Sequence, residues 1–92
     1  MIQFLVHEKA DTVGVATVDI KLGEKADGLY MDTQEPIVLK ACADIPLGHK
    51  IALVDFKVGD TVLKYGQDIG KIGTDVQVGE HVHIHKLKTK RW

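Results

Sequence analysis

Cysteine is nearly absent from this chain, and its scarcity excludes a disulfide-based fold. Cys42 is the only cysteine, so no disulfide can form within the chain. A single cysteine is typical of proteins from a reducing compartment, and we therefore expect a cytoplasmic setting. The residues around Cys42 are apolar, namely Val38, Leu39, Ala41 and Ala43. They predict a small buried side chain rather than a reactive thiol.

An excess of charge and a long apolar run are also missing. Twelve basic and 13 acidic residues nearly balance, which gives a formal net charge of -1. A general nucleic-acid binder would carry a strongly basic face, so that class of function is not expected. No apolar run approaches the ~20 residues of a membrane helix, and the stretch from Met1 to Val6 is too short for a signal peptide. We therefore expect neither a nucleic-acid nor a membrane partner.

The length of the chain limits where a site can lie. Residues 1–92 are expected to form one domain. A chain of this size buries roughly 60–65% of the surface that its unfolded form exposes, so the core is thin. There is little room for a deep catalytic cavity. A site would sit on a rim or be shared with a partner.

The pattern of apolar and turn-forming residues predicts an all-β fold. Segments rich in β-branched and apolar residues alternate with glycine, aspartate and proline at intervals of about 8–12 residues. The clearest of these segments are 2–7, 12–18, 36–42 and 50–54. No helical period extends beyond two turns, and no linker or low-complexity stretch is present. We expect a small domain of short strands and tight turns.

A short motif occurs four times and predicts a turn. Its order is Asp, apolar, any residue, apolar, Gly and then a polar residue or His, and its copies are 19–24, 44–49, 55–60 and 75–80. Aspartate can bond to the backbone two residues on, and glycine supplies a positive φ at the exit. We expect the two apolar residues to anchor each turn on the core. The copies are unequally spaced, so the chain is not a solenoid.

The end of the chain combines a row of histidines with a cluster of cations. His81, His83 and His85 are two residues apart, so on a single strand they would share one face, with Val82 and Ile84 facing the core. The cations that follow are Lys86, Lys88, Lys90 and Arg91. A titratable row beside cations predicts a site for an anionic ligand or a metal.

Three segments together resemble a known family. They are 48–53 (Gly-His-Lys-Ile-Ala-Leu), 62–71 (Val-Leu-Lys-Tyr-Gly-Gln-Asp-Ile-Gly-Lys) and 82–87 (Val-His-Ile-His-Lys-Leu). Their order and spacing resemble the small SAF-type domain of the altronate and galactarate dehydratase family. In that family the domain is either fused ahead of a large catalytic domain or made as a separate small subunit. The two ends of this chain resemble the separate small subunits that act on sulfolactate.

The resemblance implies a β-clip fold and lyase chemistry on a hydroxy acid. Water would be eliminated from a sugar acid such as altronate or galactarate, or sulfite from sulfolactate, with a divalent metal such as iron held mostly by a larger catalytic subunit. His83 and His85 match the family's His-any-His motif and are the candidate catalytic residues. The family usually has Asn after that motif, whereas this chain has Lys86. A point cation replaces an amide that could orient a substrate.

The same resemblance suggests residues that bind the substrate. His49 with Lys50 could reach a carboxylate or sulfonate, and Lys64 with Tyr65 would face the shared site. The alternatives are a solvent-facing turn for His49 and Lys50, and a half-buried strand aromatic for Tyr65. His81 has no match in the family motif and is not among the candidate catalytic residues, and His7, at the end of the first strand, is assigned no role.

Two further points have more than one interpretation. His83 and His85 could act as acid and base, ligate a metal together with partner ligands, or simply line a solvated strand face. Lys88, Arg91 and Trp92 could dock on a partner, with Trp92 as a buried anchor, or could solvate the terminus. We adopt the docking interpretation as a hypothesis.

The prediction from sequence is a small all-β subunit of a metal-dependent lyase that is inactive alone. It would complete an active site held mainly by a larger subunit and act on a small hydroxy acid. The first alternative is a non-catalytic SAF-type module that binds a ligand or docks on a partner. The second is a standalone metal-binding protein that uses the histidine row.

Overall fold

The computed structural model describes residues 1–64, 67–82 and 84–85, without the side chains of residues 68, 84 and 85. Within these residues the chain forms nine strands: β1 (Phe4–Val6), β2 (Val13–Ala16), β3 (Lys25–Tyr30), β4 (Pro36–Lys40), β5 (Lys50–Ala52), β6 (Thr61–Lys64), β7 (Gln67–Ile72), β8 (His81–Val82) and β9 (Ile84–His85). None of the described residues is helical. The predicted all-β class of short strands and tight turns is confirmed.

The strands form two sheets. One has six strands in the order β4-β3-β1-β2-β5-β8, and the other has three in the order β6-β7-β9. Neighbouring strands are antiparallel except β1 and β3, which run parallel. The two hairpins, β3–β4 and β6–β7, therefore belong to different sheets. Each hairpin lies between two copies of the repeated motif.

The four copies of the motif form two pairs. An isolated antiparallel bridge joins Ile20 of the first copy to Ile45 of the second, and another joins Phe56 to Val76. In each bridge both backbone N–H groups donate to the partner's carbonyl, at 2.7–3.0 Å. We call each pair of copies a clasp, because it closes the base of the hairpin that separates its two members.

Each clasp exchanges hydrogen bonds through the motif aspartates. Asp19 accepts from the Leu47 N–H at 2.8 Å, and Asp44 accepts from the Leu22 N–H at 2.9 Å. The second clasp repeats this exchange, with Asp55 accepting from Val78 and Asp75 accepting from Val58. The motif aspartate therefore bonds to the other member of its clasp, rather than two residues along its own chain as the sequence suggested.

The two apolar positions of the motif have opposite environments. The first is buried in every copy, at 0–7% exposure: Ile20, Ile45, Phe56 and Val76. The second is exposed in the first three copies, at 61–64%: Leu22, Leu47 and Val58. The expectation that both residues anchor the turn on the core was wrong. Aspartate exchange aligns the turns instead, so the second apolar residue is not needed in the core.

The two faces of the six-stranded sheet pack against different parts of the chain. The front face carries Phe4, Val6, Ala16, Ala26 and Ile51, which pack with Ile20 and Ile45 of the first clasp. On the back face Val13, Ala52 and Val82 pack with Phe56 and Val76 of the second clasp and with Val62 and Ile72 of the small sheet. The remainder of the back face, towards β4, lies outside this second cluster.

Two local expectations were wrong. His81 and His85 do not lie on one strand, because β8 pairs with β5 in the large sheet whereas β9 pairs with β7 in the small sheet. Cys42 is exposed rather than buried. It follows the edge strand β4, where apolar neighbours in sequence do not provide cover on both sides.

Candidate functional site

Two histidines from distant parts of the chain meet at one edge of the large sheet. His49 Nδ1 lies 2.8 Å from His81 Nε2, which is hydrogen-bonding distance. The ring centroids are 4.9 Å apart, and the rings are tilted by 35°. Thirty-two residues separate the two histidines in sequence. We call this contact the histidine pair.

The register of β5 and β8 creates the histidine pair. His81 lies directly opposite Ile51 on β5. His49 precedes Ile51 by two residues, so the alternation of side chains places His49 on the same front face. β8 is the edge strand of its sheet, so the pair lies at a rim and His49 is exposed. This position fits the expectation of a rim site on a thin-cored domain.

The second copy of the motif differs from the other three at its last residue, which is His49. In those three copies the last residue is acidic, and its carboxylate accepts a backbone N–H from the motif's third residue. The bonds are Lys21 N–H to Glu24, Lys57 N–H to Asp60 and Gln77 N–H to Glu80, all at 2.8–2.9 Å. In the second copy the third residue is Pro46, which has no N–H.

Because of Pro46, the last residue of the second copy is not required as a hydrogen-bond acceptor within its own turn. A carboxylate at position 49 would have no N–H to accept, whereas the turn itself is kept by the His49 N–H donating to the Pro46 carbonyl at 2.9 Å. The His49 ring is free to reach His81. A proline and a histidine that together break a repeat are the signal in the sequence that marks this turn as different.

The histidine pair can hold one proton between two nitrogens. A neutral imidazole has one N–H donor and one acceptor nitrogen, so one ring donates and the other accepts. If both rings are protonated, both facing nitrogens become donors and the hydrogen bond is lost. The pair can therefore accept or release a proton at an exposed edge, which is a requirement for acid–base chemistry on a bound molecule.

The pair supplies two nitrogens to a metal at most. Among the described residues no group of three or more histidine, cysteine, aspartate or glutamate side chains is placed to hold a metal ion. A closed metal site needs about four ligands. Any metal at this edge would have to draw its other ligands from outside the described part of the chain.

The predicted substrate-binding residues do not all converge on this edge. Lys50 follows His49 directly but lies opposite Val15 and Val82 on the back face. His49 and Lys50 therefore point to opposite sides of the sheet. Lys64, at the end of β6, lines a groove of about 290 Å³ on the back face. The structure brings His49 to His81, and Lys50 and Lys64 to the other side.

The remaining predicted residues fall outside what the structure describes. Tyr65, His83, Lys88, Arg91 and Trp92 are not among the described residues. For His85 only the backbone is described, and it pairs with Lys71 on β7. The roles predicted for these residues stay predictions.

His81 is the residue that reasoning from sequence missed. It was left out of the candidate catalytic residues because it has no match in the family motif, and strand periodicity grouped it with His83 and His85. The pairing of β8 with β5 separates it from β9 and places it against His49. A contact across 32 residues leaves no local signal apart from the broken repeat.

A separate feature of the surface is an ion pair with shifted pKa values. Lys9 and Glu35 form an exposed ion pair that links the segment after β1 to the turn of the β3–β4 hairpin. Its hydrogen bond raises the pKa of Lys9 and lowers the pKa of Glu35, and the charge attraction acts in the same directions. The pair ties down the hairpin and takes no part in the histidine pair.

Comparison with known proteins assigns nearly the whole chain to one family. A family model described as the altronate/galactarate dehydratase SAF domain matches residues 2–90. Within the part of the chain that the structure describes, no helix is long and apolar enough to cross a membrane.

Three curated relatives are similar to this chain over most or all of its length. The (2R)-sulfolactate sulfo-lyase subunit alpha of Chromohalobacter salexigens is 41% identical over 92 residues, covering 99% of this chain and 98% of that protein. The protein of the same name from Paracoccus pantotrophus is 63% identical over 54 residues, covering 59% of this chain and 81% of that protein. The altronate dehydratase of Bacillus subtilis is 38% identical over 91 residues, covering 97% of this chain but 17% of that enzyme.

Proposed function

Because the chain belongs to the family of altronate/galactarate dehydratase SAF domains, we propose that it is the small subunit of a lyase whose active site lies mainly on a larger subunit. The reaction is elimination of sulfite or water from a small hydroxy acid, with sulfolactate and sugar acids such as altronate as the candidate substrates. The match to a protein named as a subunit alpha, over nearly the full length of both chains, supports the subunit role.

Elimination next to a carboxylate has three chemical requirements. A base removes the proton on the carbon next to the carboxylate, and an acid or a metal assists the departing group. Positive charge stabilises the enediolate that forms as the proton leaves. Imidazole suits the first two tasks because it can gain or lose a proton near neutral pH.

The histidine pair is the observation that carries the proposal. It presents two imidazoles in contact at an exposed rim, one of them released by Pro46 from the structural role that its counterparts keep. In the complex one ring would exchange a proton with the bound acid while the other supplies or accepts the proton across the 2.8 Å contact. His83 and His85 remain candidate catalytic residues on the grounds of the family motif.

The chain is proposed to be inactive alone. His49 is exposed and His81 is half-buried. A pair of imidazoles at the rim of a sheet neither excludes water nor positions a substrate by itself, and positioning accounts for much of an enzyme's rate enhancement. A facing subunit would supply both functions. Turnover by the isolated chain would contradict this part of the proposal.

A divalent metal such as iron is proposed to be held mostly by the larger subunit. Its chemistry would be to stabilise negative charge on the substrate. On this chain His49 Nδ1 and His81 Nε2 share a hydrogen bond, so a metal bound there would replace that bond, and the pair would supply a minority of the coordination shell.

The test is to purify the chain together with its larger subunit and assay sulfite release from sulfolactate and dehydration of altronate. His49→Asn and His81→Asn should each lower kcat by about 100-fold or more, as expected for loss of an acid–base group. Asp60→Asn is the matched control, because it alters the equivalent motif position in the third copy and keeps a side-chain acceptor oxygen. It should leave kcat within about twofold.

Assembly must be measured alongside turnover. Loss of kcat with an intact complex supports a catalytic role for the pair. Unchanged kcat in both histidine variants would contradict that role and favour the alternative, a non-catalytic SAF-type docking module.

A further inference from the structure

We propose that the part of the back face of the large sheet that lies outside the second cluster among the described residues is the surface on which the larger subunit docks, through an acidic segment that also carries apolar side chains. The inference rests on the proposed function, because it takes a larger subunit as the partner. It concerns the described strands β1 to β5 and the end of β6. This surface differs from the C-terminal residues that the sequence suggested for docking.

An apolar row crosses the back face. The register places Val15 beside Leu5, Leu5 beside Leu29, and Leu29 beside Pro36, so these side chains lie on one face of four adjacent strands. In the neighbouring row Val38 is 53% exposed. A polar outer face is usual where a sheet meets water on one side. This face is apolar through its middle instead.

A groove lies at one end of this apolar row, where Leu5 and Val15 form part of its lining. It measures about 290 Å³, and its lining is Leu5, His7, Val13, Val15, Thr17, Met31 and Lys64. This volume is slightly below the range of small-molecule pockets, about 300–1,000 Å³. A small hydroxy acid has no apolar part to bury against the aliphatic floor. The groove fits an apolar side chain of a protein better than the proposed substrate.

Lysines surround the apolar row, and their placement is costly to the isolated chain. Lys25 on β3 lies directly opposite Lys40 on β4, and both are exposed. Like charges in register across a strand pair are destabilising. Lys50 lies beside Val15 at the other end of the row. Of these three lysines, none makes an ion pair within the part of the chain that the structure describes.

Little acidic charge offsets these lysines on the same face. Asp27, opposite Val38, is the carboxylate that the register places among them in the described strands, and it is half-buried. A partner carrying carboxylates would relieve the repulsion between Lys25 and Lys40, and its apolar side chains would cover the row. Charge complementarity of this kind sets the choice of partner and the rate of association.

A second copy of this chain fits the surface less well. A twofold dimer uses the same patch on both subunits, so a basic face would meet another basic face. Docking on the back face is compatible with the proposed role of the histidine pair. The pair lies on the front face, so a partner on the back face does not block it. The larger subunit would reach the pair around the edge strand β8.

The experiment measures binding of the full chain to its larger subunit. The larger subunit is first isolated from its native complex with the tagged wild-type chain, and affinity is then measured at low and high salt. Lys25→Glu with Lys40→Glu is the test variant. Lys21→Glu with Lys57→Glu is the matched control, because it makes the same change in charge at exposed positions in two motif turns. Val38→Asp is compared in the same way with Val58→Asp, whose side chain is also exposed.

The proposal predicts a selective loss. The Lys25/Lys40 variant and Val38→Asp should each weaken binding by about tenfold or more, and the lysine variant should also flatten the salt dependence. Both controls should stay within about twofold. Equal effects in test and control variants, or no effect in either, would overturn the docking surface while leaving the proposed function intact.

Two other outcomes are distinguishable. If the wild-type chain binds no larger lyase subunit, the proposed function fails and this inference fails with it. If the wild-type chain instead forms a dimer that Val38→Asp disrupts, the back face is a contact between copies and the docking proposal is wrong.

Discussion

The glycine of the fourth motif copy offers a quantitative test of how the clasps join the rest of the fold. Gly79 and Gly59 occupy the same motif position, with φ of +89° and +91°. Their surroundings differ. A Cβ added at Gly59 meets nothing within 4 Å, whereas one at Gly79 lies 2.2 Å from the Lys40 carbonyl oxygen and 3.4 Å from Cys42 Sγ.

Two costs follow for Gly79→Ala and one for Gly59→Ala. Holding alanine at this positive φ costs about 1–2 kcal/mol in either variant. At Gly79 the backbone must also move away from Lys40, and overpacking of this kind costs about 1–3 kcal/mol. The movement strains the bond from the Cys42 N–H to the Gly79 carbonyl, now 2.8 Å long. Its loss would add about 1 kcal/mol.

We therefore expect Gly79→Ala to lower the free energy of unfolding by about 2–4 kcal/mol more than Gly59→Ala does. Urea unfolding of the full chain, followed by far-ultraviolet circular dichroism, gives both values by linear extrapolation. In thermal unfolding the difference corresponds to roughly 10–20 °C or more for a domain of this size. Equal losses in the two variants would show that the contact of Gly79 with Lys40 does not constrain the fold.

Two further predictions concern the motif and the surface ion pair. Ile45→Ala should cost about 2–5 kcal/mol because it empties a fully buried position, whereas Leu47→Ala should stay within about 0.5 kcal/mol; urea unfolding compares them, and similar losses would contradict their different burial. Glu35→Gln should destabilise the chain most between the unfolded pKa values of Glu35 and Lys9, about 4.5 and 10.5, and progressively less as the pH moves beyond either value. The lowered pKa of Glu35 gives a contribution that is lost as the pH falls through its folded value, and the raised pKa of Lys9 gives one that is lost as the pH rises through its folded value. Urea midpoints of wild type and variant should differ inside that window and converge at pH well below and well above it, and a difference that persists unchanged at both extremes would argue against the ion pair.

The local features of the fold could be predicted from the sequence. Alternating apolar residues and glycine-aspartate turns are local signals, so the all-β class and all four turns were predictable. Each turn is also followed by a strand, as at Lys25 and Lys50. The chemistry of a turn depends on a few adjacent residues, and adjacent residues are what a sequence displays.

The long-range features could not be predicted. No local pattern indicates that the first copy of the motif pairs with the second, or that β8 leaves the sheet in which β9 lies. The candidate site was the least predictable feature, because the contact between His49 and His81 depends on the pairing of β5 with β8. Cys42 was assigned to the core because its neighbours are apolar, yet burial depends on what packs across an edge strand.

The two clasps have a consequence for how the chain folds. In each one the aspartates are 25 or 20 residues apart, and a hairpin lies between them, so the chain is built as two loops of the same plan. Closing a loop of 25 rather than 20 residues costs only about 0.2 kcal/mol more in chain entropy. Loop entropy therefore does not favour either half as the first to fold. The order in which the halves fold is left to their side chains, and a hairpin can lengthen at its tip without disturbing the clasp that closes its base.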